Sequence, residues 1–212
     1  MTAMRICFVG DSITVGSGDN HFLGWPGRLC QHETKNGHDV TLYNLGVRGD
    51  TSDMVMNRWK RECEVRLPIH VSGRLVMSFG LNDTAEEANS GIRVPMNKTI
   101  ANITTVLDEA KNWLPTIMVG PVPIIEDMQP YIFPDGTAYQ YSNTRIAELN
   151  DHLAKICLSM DIQYLNLFEI LIDNEDWIES QRECDGVHAT DKGYETIHKI
   201  VMNWDSWRSW FS

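Results

Sequence analysis

The sequence predicts an α/β protein, a three-layer α/β/α sandwich around a parallel sheet of five strands. Two features of the chain lead to this prediction. Short apolar runs that stop at glycine or at polar residues recur along the chain, and such runs are typical of strands buried on both faces. Segments with helical character separate them, so that strand and helix alternate five times. That alternation implies right-handed crossovers and a parallel sheet covered by helices.

The predicted elements follow one another in a simple order. Strands are expected at residues 6–9, 40–45, 75–79, 116–119 and 162–167. Helices are expected at residues 25–35, 53–65, 97–114, 138–160 and 170–177, with a last helix after Thr190. Thr190 is expected to cap that last helix, and Thr51 or Ser52 to cap the helix at 53–65. Residues 84–95 and 124–137 are expected to be loops.

Length and charge narrow the possible functions. The chain has 212 residues, a length that one core can serve, so residues 1–212 are expected to form one domain. Lysine and arginine number 18 against 29 acidic residues, which gives a net charge of −11. Because phosphate backbones and anionic lipid surfaces repel such a chain, nucleic acid is excluded as a partner. No apolar run approaches the ~20 residues that span a bilayer, so stable membrane insertion is not expected.

The cysteines and the N-terminus bear on the compartment. The five cysteines are scattered and form no Cys-x-x-Cys pair: Cys7, Cys30, Cys63, Cys157 and Cys184. This pattern favours free thiols in a reducing compartment over a disulfide framework or a zinc site. Residues 1–5 pass directly into the first strand and leave no room for a signal peptide, so a cytoplasmic location is expected. The histidines show no metal-ligand spacing, and neither a metal nor a cofactor is expected.

The first strand ends in Gly10, Asp11 and Ser12, at the sheet edge where open α/β sheets bind ligands. Ser12 has two interpretations there. Serine and aspartate commonly bond to the backbone where a strand turns toward a helix, which makes a plain turn serine the default. The alternative is a nucleophile, and three further segments of the chain favour it.

Gly49 and Asn82 follow the second and third strands as Ser12 follows the first, so all three are expected at the same sheet edge. A fourth segment supplies Asp185 and His188. Acyl transfer needs a nucleophile, a base, a group that orients the base, and donors for the developing oxyanion. Ser12 is the candidate nucleophile and His188 the candidate base. Asp185 lies three residues before that histidine, a spacing that lets its carboxylate reach the far ring nitrogen.

The candidate oxyanion hole has three donors, the backbone amides of Ser12 and Gly49 and the side-chain amide of Asn82. Glycine suits the middle position because the substrate must approach the backbone closely. The neighbouring carboxylates of Asp11 and Asp83 are interpreted as acceptors for loop amides. A cysteine nucleophile at position 184 fits less well than a serine at a strand end.

These four segments, in this order, resemble the SGNH hydrolases, also called GDSL esterases and lipases. The family's first block is matched by Gly10-Asp11-Ser12-Ile13, and its second-block glycine by Gly49. The third block is matched by Gly80-Leu81-Asn82-Asp83, and the last by Asp185-Gly186-Val187-His188. Ile13 stands where leucine is frequent, and Ala189 where many members carry proline. The resemblance implies a flavodoxin-like sheet and metal-free hydrolysis of esters or thioesters through an acyl-serine intermediate.

The walls of the substrate site are expected to come from loops beside the nucleophile. The candidates are mostly apolar: Phe22, Arg48, Leu81, Pro121, Val122 and Val187, with His21, Leu23, Pro123, Tyr131 and Phe133 beside them. This composition slightly favours a short or medium acyl chain over a bare sugar, although apolar loop residues also pack onto a sheet.

Three functional hypotheses therefore remain. The first is a serine esterase or lipase-like acyl hydrolase that acts on small-molecule carboxylic esters or thioesters. Within the same family, a carbohydrate O-acetylesterase is the main alternative, and residues 84–95 and 124–137 are expected to decide between the two. The third is a flavodoxin-like module that binds a small ligand without chemistry. The sequence does not predict an oligomeric state.

Overall fold

The computed structural model describes residues 3–88, 90–133 and 135–212. Nine strands lie in these ranges: β1 Met4–Gly10, β2 Val40–Gly46, β3 Ser72–Ser78, β4 Glu86–Glu87, β5 Gly91–Ile92, β6 Thr116–Val119, β7 Tyr131–Ile132, β8 Ala138–Gln140 and β9 Gln163–Leu165. The same ranges contain nine α-helices: α1 Ser12–Val15, α2 Gly24–Lys35, α3 Ser52–Glu64, α4 Met96–Lys111, α5 Asn143–Met160, α6 Leu167–Leu171, α7 Glu175–Arg182, α8 Asp191–Met202 and α9 Asp205–Arg208. Short 3-10 turns occupy Leu81–Thr84 and Glu126–Met128.

The main sheet is parallel and has the order β2-β1-β3-β6-β9. This order of five strands is the flavodoxin-like one. The first strand shows why the sheet is covered on both sides. Ile6 and Phe8 pack into one hydrophobic core, whereas Cys7 and Val9 pack into the other, and all four are fully buried. The predicted three-layer α/β/α sandwich with five parallel strands is confirmed.

The two helical layers are built from separate groups of helices. On one face, α2 packs beside α8, and Trp25 and Leu29 of α2 join Ile197 of α8 in the core. On the other face, α3, α4 and α5 lie side by side, and Trp59 and Leu107 pack against the sheet. All five cysteines lie within the described ranges and are free thiols. Among the described residues, no helix has both the length and the apolar character that a membrane crossing requires.

A second, small sheet replaces two of the predicted loops. It is antiparallel, with the order β5-β4-β8-β7, and we call it the accessory sheet. The prediction of loops at 84–95 and 124–137 was therefore wrong at residues 86–87, 91–92 and 131–132, which form strands. Residues 89 and 134 of these ranges lie outside the described residues. The predicted helix at 138–160 was wrong at its start, because residues 138–140 form β8. Strands of two or three residues are too short to show a period, so the sequence did not distinguish them from loop.

Several boundaries also differ from the prediction. The fifth strand ends at Leu165, and the helix predicted at 170–177 divides into α6 and α7. Each of the two helices begins after an asparagine, Asn166 or Asn174, whose side chain accepts a backbone N–H at the helix start. Thr190 occupies the expected cap position, but its hydroxyl bonds to Ser180 instead of capping α8.

The predicted cap of α3 fails for a related reason. Thr51 stands at the cap position without a side-chain hydrogen bond to the helix. Ser52, the other candidate, is the first helical residue. Its backbone N–H and its hydroxyl both donate to the buried carboxylate of Asp83, with the backbone bond 2.8 Å long. The carboxylate of Asp83 thus binds the start of α3, as we expected the side chain of Thr51 or Ser52 to do.

Candidate active site

The turn after β1 is held by close packing and by one side-chain cap. A side chain at Gly10 would lie 2.0 Å from the hydroxyl of Thr14 and 2.2 Å from the carbonyl oxygen of Ser78, so only glycine fits. Asp11 then caps α1, since its carboxylate accepts the backbone N–H of Ile13 at 3.0 Å. Ser12 is consequently the first residue of that short helix, at the carboxyl end of the main sheet.

Three of the predicted residues form one hydrogen-bonded chain. Ser12 Oγ lies 2.8 Å from Nε2 of His188, and Nδ1 of the same ring lies 2.7 Å from Oδ2 of Asp185. Oδ1 of that carboxylate accepts the backbone N–H groups of Val187 and His188, at 3.0 and 2.7 Å. The segment thus folds back on itself in a single turn, as the three-residue spacing predicted.

The electrostatics suit a charged carboxylate in this chain. Burial alone would raise the pKa of Asp185, but its hydrogen bond to His188, the charge on that ring and two backbone N–H groups outweigh burial. The pKa of Asp185 is therefore lowered, and the carboxylate remains ionised at neutral pH. Ser12 and His188 are each only 5% exposed. The negative charge of Asp185 therefore acts on two groups that are largely shielded from water.

Gly49 lies in the loop after β2 and has a φ of +78°, a left-handed conformation that other residues rarely adopt. A Cβ added there would meet nothing within 4 Å, so the backbone conformation, and not a crowded neighbour, requires glycine in this structure. Among the described residues, neither the N–H of Ser12 nor that of Gly49 donates to a protein acceptor. Both donors are free for a bound group.

Asn82 lies in the 3-10 turn after β3, and three contacts hold its amide. Nδ2 donates to the carbonyl oxygen of Asp50 at 3.0 Å and lies 3.4 Å from Oδ2 of Asp11. Oδ1 accepts the hydroxyl of Tyr141 at 2.8 Å. One amide hydrogen therefore has a firm partner, and the second has only a long one. The structure brings the amide to the segments that carry Ser12 and Gly49.

Asp11 is an unusual neighbour for these groups because it is fully enclosed. Burial, reinforced by the carboxylates of Asp83 and Asp50 and opposed by the Ile13 amide, raises the pKa of Asp11 to about 7. Burial likewise raises the pKa of Asp83, against the hydrogen bonds from Ser52. Both carboxylates accept loop or helix amides, the role that the sequence predicted for them.

A small cavity of about 10 Å³, the size of one water molecule, opens at Ser12. Its walls combine the candidate reactive groups with aromatic rings: Ser12, Arg48, Gly49, Asn82, Tyr131, Phe133, Tyr141 and His188. Tyr131 of β7 stands edge-on to the imidazole of His188, with ring centres 5.7 Å apart, and Phe133 packs against Tyr131 at 4.8 Å. The accessory sheet thus closes one side of the cavity.

The predicted wall residues divide into three groups. Arg48 lines the cavity and donates to the hydroxyl of Tyr131 at 3.4 Å. Phe22 is 91% exposed and has a φ of +57°, outside the lining of the cavity. The other four are buried: Leu81, Pro121, Val122 and Val187. Of these, all but Val187 line a separate space of about 10 Å³. None of the four lines the cavity at Ser12, and Leu81, Val122 and Val187 belong to a hydrophobic core.

Sequence reasoning missed two residues that contact the candidate oxyanion hole. Tyr141 was placed inside a predicted helix, and Arg93 inside a predicted loop. Arg93 donates to the carbonyl oxygen of Gly49 at 3.0 Å and to that of Asn82 at 3.5 Å, and its guanidinium stacks on Tyr139 at 4.6 Å. No local pattern marks either residue, because their partners lie far away in the sequence.

The described part of the chain offers no obvious metal site. Within it, histidine, cysteine and carboxylate side chains nowhere gather in threes in a way that would hold a metal ion. The side chains of Asp185, His188 and Ser12 instead bond directly to one another.

Comparison with known proteins agrees with the motifs. The model of the GDSL-like Lipase/Acylhydrolase family matches residues 8–196. The chain therefore belongs to this family of ester hydrolases. A search by sequence among curated proteins finds no match.

Solved structures show the same fold at low sequence identity. A lipase/acylhydrolase from Enterococcus faecalis is 20% identical, with a TM-score of 0.76 over 98% of this chain and 97% of that one. The psychrotrophic esterase EstA from Pseudoalteromonas sp. is 18% identical, with a TM-score of 0.69 over 98% of each chain. An acetyl xylan esterase is 16% identical, with a TM-score of 0.72 over 92% of this chain and 96% of that one.

Proposed function

We propose that this protein is a serine hydrolase that cleaves carboxylic esters or thioesters of short acyl chains through an acyl-serine intermediate. The observation that carries the proposal is the unbroken chain of contacts from Asp185 through His188 to Ser12, 2.7 and 2.8 Å long. In this proposal Ser12 is the nucleophile, His188 the general base, and Asp185 the group that orients the base and stabilises the imidazolium.

The first half-reaction forms the acyl-serine. Nε2 of His188 takes the proton of Ser12 as Oγ attacks the carbonyl carbon of the ester. The developing oxyanion accepts hydrogen bonds from the N–H groups of Ser12 and Gly49 and from the amide of Asn82, whose second hydrogen has only a long partner. The C–O or C–S bond then breaks, and the alcohol or thiol leaves with the proton from Nε2.

The second half-reaction releases the acid. Water gives a proton to Nε2 of His188 and attacks the acyl carbon through the same oxyanion geometry. The bond to Ser12 Oγ then breaks, and the proton returns from the imidazolium to the serine. The lowered pKa of Asp185 supports this cycle, because the carboxylate stays ionised and offsets the charge on the ring in both halves.

The size of the cavity favours a small acyl group. The space between Ser12 and the rings of Tyr131, Phe133 and Tyr141 is about 10 Å³, room for one water molecule, so a longer acyl chain would extend beyond it. For this reason the second candidate, a carbohydrate O-acetylesterase of the same family, stays open. Among the solved structures of this fold, one is named an acetyl xylan esterase.

The decisive experiment compares turnover of p-nitrophenyl acetate and p-nitrophenyl octanoate by the wild type, Ser12→Ala and Ser17→Ala. Ser17 is the matched control, since it is also buried, lies just after the short helix that Ser12 begins, and its hydroxyl has no partner among the described residues. We expect Ser12→Ala to lower kcat by several orders of magnitude and Ser17→Ala to leave it unchanged. Equal turnover by wild type and Ser12→Ala would refute the serine mechanism.

Two further readouts separate the alternatives. Labelling of Ser12 by a fluorophosphonate, traced to its peptide, would exclude the non-catalytic binding module. Preference for acetate over octanoate would support the closed cavity and direct the search to acetylated sugars, whereas preference for octanoate would mean that an acyl groove opens beside Ser12. Since all five cysteines are free thiols, we also propose a cytoplasmic location for this activity.

A further inference from the structure

One buried tyrosine contacts the candidate oxyanion hole from the accessory-sheet side. Tyr141 lies between β8 and α5, is 3% exposed, and lines the cavity at Ser12. Its hydroxyl donates to Oδ1 of Asn82 at 2.8 Å. A buried hydroxyl normally needs a partner, and this one uses the acceptor end of the amide whose donor end is assigned to the oxyanion.

The orientation of the Asn82 amide decides whether it helps or hinders the reaction. An asparagine side chain presents N–H groups at one end and an oxygen at the other. With the ends exchanged, Oδ1 would face the carbonyl oxygen of Asp50, an acceptor that now receives Nδ2 at 3.0 Å. Exchanging the two ends would also turn an acceptor toward the oxyanion. The observed orientation places Nδ2 against Asp50 and Asp11, the residues directly beside Gly49 and Ser12.

We propose that Tyr141 is a positioning residue that holds the Asn82 amide with its N–H groups toward the oxyanion and polarises them. This inference rests on the proposed function, in which that amide is an oxyanion donor. A hydrogen bond to Oδ1 draws electron density from the amide nitrogen, so that its remaining N–H becomes a better donor. The same hydrogen bond already holds the amide in place, so the amide need not reorient when charge develops on the substrate.

The protonation state of Tyr141 supports this role. Burial raises the pKa of Tyr141 above its ordinary value, more than the nearby charge of Arg93 lowers it. The hydroxyl therefore remains a donor through the neutral and mildly alkaline range. We accordingly expect the effect of removing the hydroxyl to be independent of pH between about 6 and 9.

The test begins with Tyr141→Phe, which keeps the ring in its packed position and removes only the oxygen. On p-nitrophenyl acetate we expect kcat to fall about tenfold while KM changes less than twofold, because the amide acts on the transition state and not on the bound ester. The matched control is Tyr139→Phe, which removes a hydroxyl from a tyrosine of β8 and keeps the ring that contacts Phe133 and Arg93. That control should retain the wild-type kcat.

A double-mutant cycle with Asn82→Ala distinguishes positioning from any independent role of Tyr141. If the tyrosine acts through the amide, Tyr141→Phe lowers kcat in the wild-type background and has no further effect in the Asn82→Ala background. The same fold-loss in both backgrounds would overturn the positioning role and leave the proposed function intact. An unchanged kcat in Asn82→Ala would instead refute the oxyanion role of Asn82, and with it the basis of this inference.

A binding measurement covers the case in which Tyr141→Phe lowers stability as well. An alkylboronic acid forms a tetrahedral adduct with a serine nucleophile and places an oxygen where the oxyanion develops. The inhibition constant is measured below the unfolding temperature, so that only folded protein contributes. In Tyr141→Phe it should rise by the same factor by which kcat falls. A variant whose kcat falls while its affinity for the boronic acid is unchanged would overturn the proposal.

Discussion

The main sheet and the accessory sheet contribute different things to the site. The carboxyl edge of the parallel sheet supplies all the groups proposed to react or to bind the oxyanion: Ser12, Gly49, Asn82, Asp185 and His188, the last two from the loop before α8. The accessory sheet and the residues directly after its strands supply side chains that touch those groups: Arg93, Tyr131 and Tyr141. The first region carries the proposed chemistry, and the second holds and encloses it.

This difference has a physical basis in the two sheets. The five paired strands of the main sheet have a hydrophobic core on each face and resist local opening, so they can set distances between reactive atoms. Strands of two or three residues cannot do this alone, but they can bring long side chains across the mouth of the site. Substitutions at the main-sheet edge should therefore abolish catalysis, whereas substitutions in the accessory sheet should weaken it or change its selectivity.

The largest effect is expected from Asp185→Asn. The asparagine oxygen can still accept the N–H groups of Val187 and His188, so the turn should survive, but its NH₂ group faces Nδ1 and favours the wrong tautomer. We expect kcat to fall on the order of 10⁴-fold, with little loss of stability. Steady-state kinetics and thermal unfolding check this. Asp191→Asn, on the first turn of α8, is the control, and retention of more than a tenth of the activity in Asp185→Asn would contradict the proposed role.

The next effect is expected from Asn82→Ala. Loss of one oxyanion donor typically costs about 10²- to 10³-fold in kcat, and that is the result we expect here. Asn102→Ala is a matched control, because Asn102 is similarly buried and its Nδ2 also bonds within the fold, to Ser52 and Asp53. The control should lose roughly 1–3 kcal/mol of stability and keep its kcat. Equal kinetic losses in both variants would mean that the amide of Asn82 is merely structural.

The same contrast explains what the sequence could and could not predict. Ser12, Gly49 and Asn82 each follow a main-sheet strand, and parallel topology puts such positions at one edge, so their meeting could be expected from the strand pattern. Tyr141 and Arg93 follow strands too short to have a period. Arg93 follows β5, which pairs with the nearby β4, and β4 is joined to Tyr141 through its pairing with the distant β8. Local sequence carries no signal for that pairing.

The helix caps were mispredicted for a similar reason. Thr51 and Thr190 have the residue type and the position of a cap, yet the hydrogen bonds at those places involve residues from other parts of the fold. The Thr190 hydroxyl pairs with Ser180, and the start of α3 is held by Asp83. Cap propensity describes a helix in isolation, whereas these two helix starts lie against neighbouring segments that offer competing partners.

The buried carboxylate of Asp11, at the main-sheet edge, should also make the stability of the fold depend on pH. The pKa of Asp11 is raised from 3.8 to about 7, so the folded protein binds this proton more tightly than the unfolded chain. The free energy of unfolding should therefore fall as pH rises from about 4 to 7, by a few kcal/mol at most, since one pKa unit is worth about 1.4 kcal/mol. Asp11→Asn keeps an oxygen for the Ile13 amide and should remove this part of the pH dependence. Urea unfolding at pH 5 and pH 8 checks it, and parallel pH profiles for the two proteins would contradict the prediction.

The smallest effect is expected from the accessory sheet, in Arg93→Met. Its guanidinium joins the carbonyl oxygens of Gly49 and Asn82, so methionine should loosen two of the three proposed donors without removing either. We expect kcat to fall about tenfold, equivalent to ~1.4 kcal/mol, because misplaced donors still reach the oxyanion.

Arg145→Met is the control, since Arg145 anchors the same sheet through Thr84 and Gln140 without touching the carbonyl oxygens of Gly49 and Asn82. A tenfold loss in Arg93→Met alone would show that the accessory sheet acts through specific contacts to the donors. The same loss in both variants would show that any loosening of the sheet is enough, and would remove the distinction between holding the site and enclosing it.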